Sequence, residues 1–174
     1  VPGSGFGGIP VQRAAASDTP YINIQDQKAS ATDGGTFTSG AWRTRDLNTI
    51  QSDLSGLARV SSNQITLPGG TYRANIMCPA TAVGRHMARL QSITSGTTLL
   101  WGASPSTNGT NTGAAAYGSS AIVTGLFILT DQTVLEVQHQ CASTKTTDGY
   151  GFSAGSAFTV DHETYTVAEF WKLR

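Results

Sequence analysis

The chain has 174 residues, the size of one domain, and hydrophobic residues make up 39% of it, enough for a core. Only 13% are charged, and Lys+Arg and Asp+Glu balance at 11 each. That excludes the basic field of a general nucleic-acid binder and the like-charged tail of a disordered segment, and it leaves a surface of Ser, Thr, Gly, Asn and Gln.

Residues 1–20 read as a Gly/Pro-rich linker or shaft end. Gly3, Gly5, Gly7 and Gly8 lie among Pro2, Pro10 and Pro20, and such a segment forms no regular element. The start "VPGSGFGGIP" has no basic region followed by an apolar one, so no signal peptide is read, and without an initiator Met the chain reads as a piece of a longer parent. The domain is expected over 21–174.

From Tyr21 the pattern is β. "YINIQDQKA" sets Ile22 and Ile24 against Tyr21 and Asn23. "AWRTRDLNTI" puts Trp42, Thr44 and Asp46 on one face and Arg43, Arg45 and Leu47 on the other. Leu47, Ile50, Leu54 and Leu57 recur at helical spacing, but Asp53, Ser55 and Gly56 break the pattern and no helix is expected. "SNQITLPGGTYRANIMCPA" predicts a strand, a Pro-Gly-Gly turn and a strand with Tyr72, Ala74, Ile76 and Cys78 on one face.

"VGRHMARLQSIT" and "TLLWG" predict two more strands, and 104–119 a long polar loop. "AIVTGLFILTDQTVLEVQHQC" predicts a β-hairpin turning at Asp131-Gln132. Its first strand has Ile122, Leu126 and Ile128 on one face and Val123, Phe127 and Leu129 on the other. "YTVAEFWKL" closes the chain, with Tyr165, Val167, Glu169, Trp171 and Leu173 on one face and Ala168 and Phe170 on the other. The sum is eight to ten short antiparallel strands, a β-sandwich or barrel. No apolar run reaches the roughly 18 residues of a membrane span. Strands apolar on both faces predict burial against a second surface, here another subunit.

Chemistry is sparse. Cys78 and Cys141 are too few for a disulfide framework; they read as two buried thiols or one bridge. His86, His139 and His162 have no metal-pair spacing, and the first two read as strand histidines with hydrogen-bond partners. "GFSAG" around Ser153 has no helix after it, so no nucleophile elbow is expected. Three Glu and eight Asp, the Asp mostly in turns, give no facing carboxylate pair. No catalytic residue, metal or cofactor is expected. The working surface is expected on loops. Asn108, Asn111 and Tyr117 stand in 104–119, and Lys145, Asp148 and Tyr150 in 144–152, aromatic rings beside short polar groups that suit a glycan or protein contact.

"GGTFTSGAWRTRDLNTI", "NQITLPGGTYRANIMCPA", "VGRHMARL", "FILTDQTVLEVQHQC" and "YTVAEFWKL", in that order, resemble the C-terminal head domain of bacteriophage tail fibre and spike proteins. That domain is similar to the trimeric jelly roll of the complement globular-head and tumour necrosis factor superfamily. The resemblance implies a homotrimer of jelly rolls that is not an enzyme. It implies a place at the tip of a virion fibre, extracellular when acting, behind an upstream shaft. The implied partner is a bacterial cell-surface glycan, lipopolysaccharide or protein receptor. A purely structural trimerising cap, or a secreted complement/tumour-necrosis-type ligand, is the alternative. In such trimers the last strand and inner sheet face the threefold axis, which makes Phe127, Phe170 and Trp171 the interface candidates.

Overall fold

The computed structural model describes residues 19–107, 118–155 and 158–174. The linker expectation therefore falls, but for Thr19 and Pro20, outside the described residues. The fold is all-β. Its strands are β1 (Tyr21–Ala29), β2 (Arg43–Thr44), β3 (Thr49–Asp53), β4 (Arg59–Ser61), β5 (Gln64–Leu67), β6 (Gly70–Thr81), β7 (His86–Ser92), β8 (Thr98–Trp101), β9 (Gly118–Leu129), β10 (Thr133–Cys141) and β11 (His162–Lys172).

Two antiparallel sheets stack face to face. The front sheet runs β3-β1-β11-β6-β9; the back sheet runs β4-β5-β10-β7-β8, with β2 pairing beside β10. Alternation decides what each strand buries. Ile22 and Ile24 of β1, Tyr72, Ala74 and Ile76 of β6, Val123 and Phe127 of β9, and Phe170 of β11 point inward from the front. Ile65, Leu67, Ala88, Leu90, Leu135 and Val137 meet them from the back. The aromatic centre is a stack of Tyr72 on Phe127 at 5.5 Å, with Phe170 edge-on to Phe127 at 6.3 Å. Gly125 sits at an inner position of β9 because Leu100 of the other sheet fills its place; a Cβ there would lie 2.7 Å from Leu100 Cδ2.

Two sequence expectations change, the hairpin and the face of Tyr165. The 121–141 stretch is not a hairpin. β9 pairs with β6 in the front sheet and β10 with β7 and β5 in the back, so Asp131-Gln132 is a corner between layers. The predicted strand, Pro-Gly-Gly turn and strand are present as β5 and β6, and the turn is a second such corner, joining the back sheet to the front. In β11 a register shift opposite Gln25 and Gln27 places both Tyr165 and Thr166 inside, so Tyr165 does not share the outer face of Val167, Glu169 and Trp171.

Candidate functional site

The ends of the sandwich are unlike. Tyr21 pairs with Trp171, and Lys172 N–H donates to Pro20 O at 3.0 Å, so the chain enters and leaves the sandwich at one end. Cys141 pairs with His86 and Thr81 with Gly118 at the opposite end, called distal below.

The distal end is closed by a docked segment. Phe37 and Lys145 exchange backbone hydrogen bonds at 2.9 and 3.0 Å, and Gly35 N–H donates to Thr147 O at 2.8 Å. Gly149 allows the approach, since a Cβ there would come 2.7 Å from Phe37 Cβ. Tyr150 stacks on Phe37 at 4.5 Å and covers Arg45, whose Cζ is 4.0 Å from the ring centre. Lys145 pairs with Asp148 at 3.2 Å, and Asp148 is buried. Three of the six loop candidates belong to this docked segment. Lys145, Asp148 and Tyr150 turn inward because the segment pairs with 34–37 and plugs the sandwich. Asn108, Asn111 and Tyr117 lie outside the described residues.

Beneath the plug is a buried polar array. Ser119 Oγ lies 2.8 Å from His86 Nε2, and His86 Nδ1 lies 2.9 Å from His139 Nε2. Arg45, also fully buried, donates Nε–H to Thr166 Oγ1 at 2.7 Å and Nη1–H to Pro79 O at 3.2 Å. The Ser–His–His order is that of nucleophile, base and orienting group. The electrostatics oppose that use. Burial, then the Arg45 charge, hold His86 down to about 4, and His139 is lowered further by the same causes and by His86. A base so depressed attracts a proton weakly at neutral pH. Burial also pushes the Cys78 and Cys141 thiols up to about 11, and both are free and buried. The array specifies packing. Thr166→Val, which strips Arg45 Nε–H of its acceptor, is expected to cost about 2 kcal/mol, read as a lower urea midpoint.

The outer faces differ in character. On the front sheet Leu126 is 63% and Ile128 70% exposed, beside half-exposed Ile122 and Met77. Arg73 joins Trp171 to Leu126 in one cross-strand row, and Met77 joins Val167 to Ile122 in another. Between these rows Glu169 accepts from Tyr21 O–H at 2.6 Å and Asn75 Nδ2–H at 2.9 Å. The three interface candidates fall on different sides of the front sheet. Phe127 and Phe170 fill the chain's own core, while Trp171 lies on the outer face against Tyr21, ring centres 5.3 Å apart. Sequence reasoning chose the large ring of β9 and passed over its alternate neighbours Leu126 and Ile128, which alternation had already set on the other face. On the back sheet the outer positions of β10 are Val134, Glu136, Gln138 and Gln140, a largely polar row. Across it lie Trp42 and Trp101, which the sequence did not single out. Among the described residues no three His, Cys, Asp or Glu group as a metal site.

No protein-family profile and no curated protein matches the sequence. Solved structures match the fold. The globular domain of zebrafish complement 1qA protein superimposes with a TM-score of 0.50 at 12% identity, over 90% of this chain and 98% of that one. Murine APRIL gives a TM-score of 0.50 at 11% identity, over 90% and 100%. The sandwich is thus a jelly roll of the architecture that these two share.

Proposed function

We propose that this domain is the non-enzymatic, homotrimeric distal head of a phage tail fibre or spike, and that it binds a bacterial cell-surface glycan or lipopolysaccharide. The observation that carries the reading is the apolar stripe on the outer face of the front sheet. Met77, Ile122, Leu126 and Ile128 lie together there, and the chain has no further element to cover them among the described residues. Contiguous apolar surface of this kind marks an interface. A second copy suits it, because the same stripe is offered by every subunit, and the polar groups of Arg73 and Glu169 stand beside it. Entry of the chain at Pro20 leaves the distal end free to meet a host when a shaft is joined upstream. The low charge and Gly/Pro-rich lead-in favour a fibre head over a secreted ligand. Three heads held together raise avidity well beyond one weak site.

The test is the solution mass by light scattering, followed by adhesion of labelled protein to bacteria. A mass near three times the 18.1 kDa chain with adhesion to a host strain supports the reading. A trimer that adheres to no cell leaves the structural cap. A stable monomer overturns the trimer.

A further inference from the structure

The back sheet carries an aromatic platform that the core does not use. Trp42, just before β2, and Trp101, at the end of β8, meet over the sheet with ring centres 5.8 Å apart. Arg89 of β7 holds them, its Cζ 4.2 Å from the Trp42 ring centre and 5.6 Å from that of Trp101. The guanidinium is itself fixed. Nε–H and Nη2–H donate to Gln138 Oε1 at 3.0 and 2.7 Å, and Nη1–H to Thr98 Oγ1 at 3.2 Å. All this orients indole rings on a largely polar face, and Trp101 stays 58% exposed. A large apolar ring left in water but locked in position is the pattern of a contact surface, not of a core.

Next to the platform the surface falls into a cleft of ≈ 350 Å³ lined by Trp42, Arg85, Met87, Ser104 and Gln140. Among the described residues the side chains of Arg85 and Gln140 make no hydrogen bond or ion pair within the chain. Arg85 is exposed at the rim. The carboxylate that this face of β10 carries, Glu136, is fully engaged: Oε1 accepts from Gln64, and Oε2 from Thr44 and Gln138. The face therefore offers free positive charge, free amide and hydroxyl groups and an apolar plane, and the carboxylate of β10 is already satisfied. The cleft lies at the distal end, and it opens on the side away from the front sheet, so association through the front face leaves it open.

We propose that this platform and cleft form a saccharide site. A pyranose lays its C–H face on Trp101, its hydroxyls bond Gln140 and Ser104, and a carboxylate on the sugar pairs with Arg85. The ligand class is an acidic saccharide, one that carries a uronic or sialic acid. The inference names the ligand of the receptor-binding reading above and rests on it.

The experiment titrates the purified domain with a panel of uronic- and sialic-acid oligosaccharides and their neutral methyl esters, by calorimetry, and in parallel measures adhesion to bacteria. The expected result is binding of at least one acidic member. Trp101→Ala weakens it about tenfold or more, as loss of a central aromatic anchor does. Arg85→Gln weakens the acid but not its ester. Both positions are exposed, and unchanged circular dichroism confirms that the variants fold. If no panel member binds at millimolar concentration, or if Trp101→Ala binds like wild type, the site is overturned. Equal binding of acid and ester overturns the role given to Arg85. Wild-type adhesion that Trp101→Ala leaves intact sinks this site but keeps the receptor-binding head; adhesion to no cell at all sinks the head.

Discussion

Between about pH 7.5 and about pH 4.5 the domain is expected to lose about 2.5 kcal/mol of stability through His86, with His139 acting in the same direction. His86 has its folded value held down to about 4. A free imidazole takes its proton near 6.5. The unfolded chain therefore binds protons that the folded chain refuses, and stability present above the unfolded value drains as pH falls toward the folded one. The groups that face the pair explain the refusal. Arg45, from the segment after β2, is cationic and wholly buried. Phe37 lies 4.6 Å from the His139 ring centre, and Ser119 bonds His86. No carboxylate is among these partners, so a new positive charge would find only Arg45. Glu136, lowered by hydrogen bonds from Gln64, Gln138 and Thr44 although burial works against them, adds a loss at still lower pH. Asp26, raised by burial against the pull of Lys28, has the opposite sign and offsets part of it. Urea midpoints measured across this range give the slope. His139→Leu, which cannot take a proton, is expected to flatten it; an equal slope in that variant would assign the acid loss elsewhere.

How much of this was legible follows from what local pattern can carry. The alternation of β6 placed Tyr72, Ala74, Ile76 and Cys78 on one face, and in the fold that face is the inner one. The order of strands and turns pointed to a sandwich, and a sandwich it is. Alternation says which residues share a face, but not which face is the core. Phe127 and Leu126 are neighbours with opposite fates, and size alone favoured the wrong one for the outer surface. Nor does a turn say whether its two strands pair with each other. "TDQT" and "LPGG" look like hairpin turns, yet each carries the chain from one layer to the other, because the partners that satisfy these strands come from distant sequence. Lys145, Asp148 and Tyr150 have the composition of an open loop. Only their pairing with 34–37, more than 100 positions upstream, turns them inward. Trp42 and Trp101 were invisible as a pair for the same reason. They are brought together across β10 and β7, and nothing near either residue announces the other.

The other large effect concerns assembly. Ile122→Asp combined with Leu126→Asp is expected to abolish the proposed trimer and leave folded single chains near 18.1 kDa. Both side chains project outward from β9, so the substitutions touch no residue of the core. In a lone subunit they place carboxylates where water already reaches, and they remove exposed apolar surface. In an assembly closed through this face they bury like charges from every copy in one interface, and a buried unpaired carboxylate costs several kcal/mol. Phe127→Ala probes the other parity of the same strand. It takes a ring from between Tyr72 and Phe170 and is expected to cost about 3–5 kcal/mol of folding stability, whatever the oligomeric state. The two variants separate face from core. The charged pair should change the mass and keep the melting of the isolated subunit; the ring deletion should lower the melting of whatever species forms. A charged double variant that keeps the wild-type mass would move the interface off the front sheet. With it would go the argument that an apolar stripe on an edge strand needs a second copy to cover it.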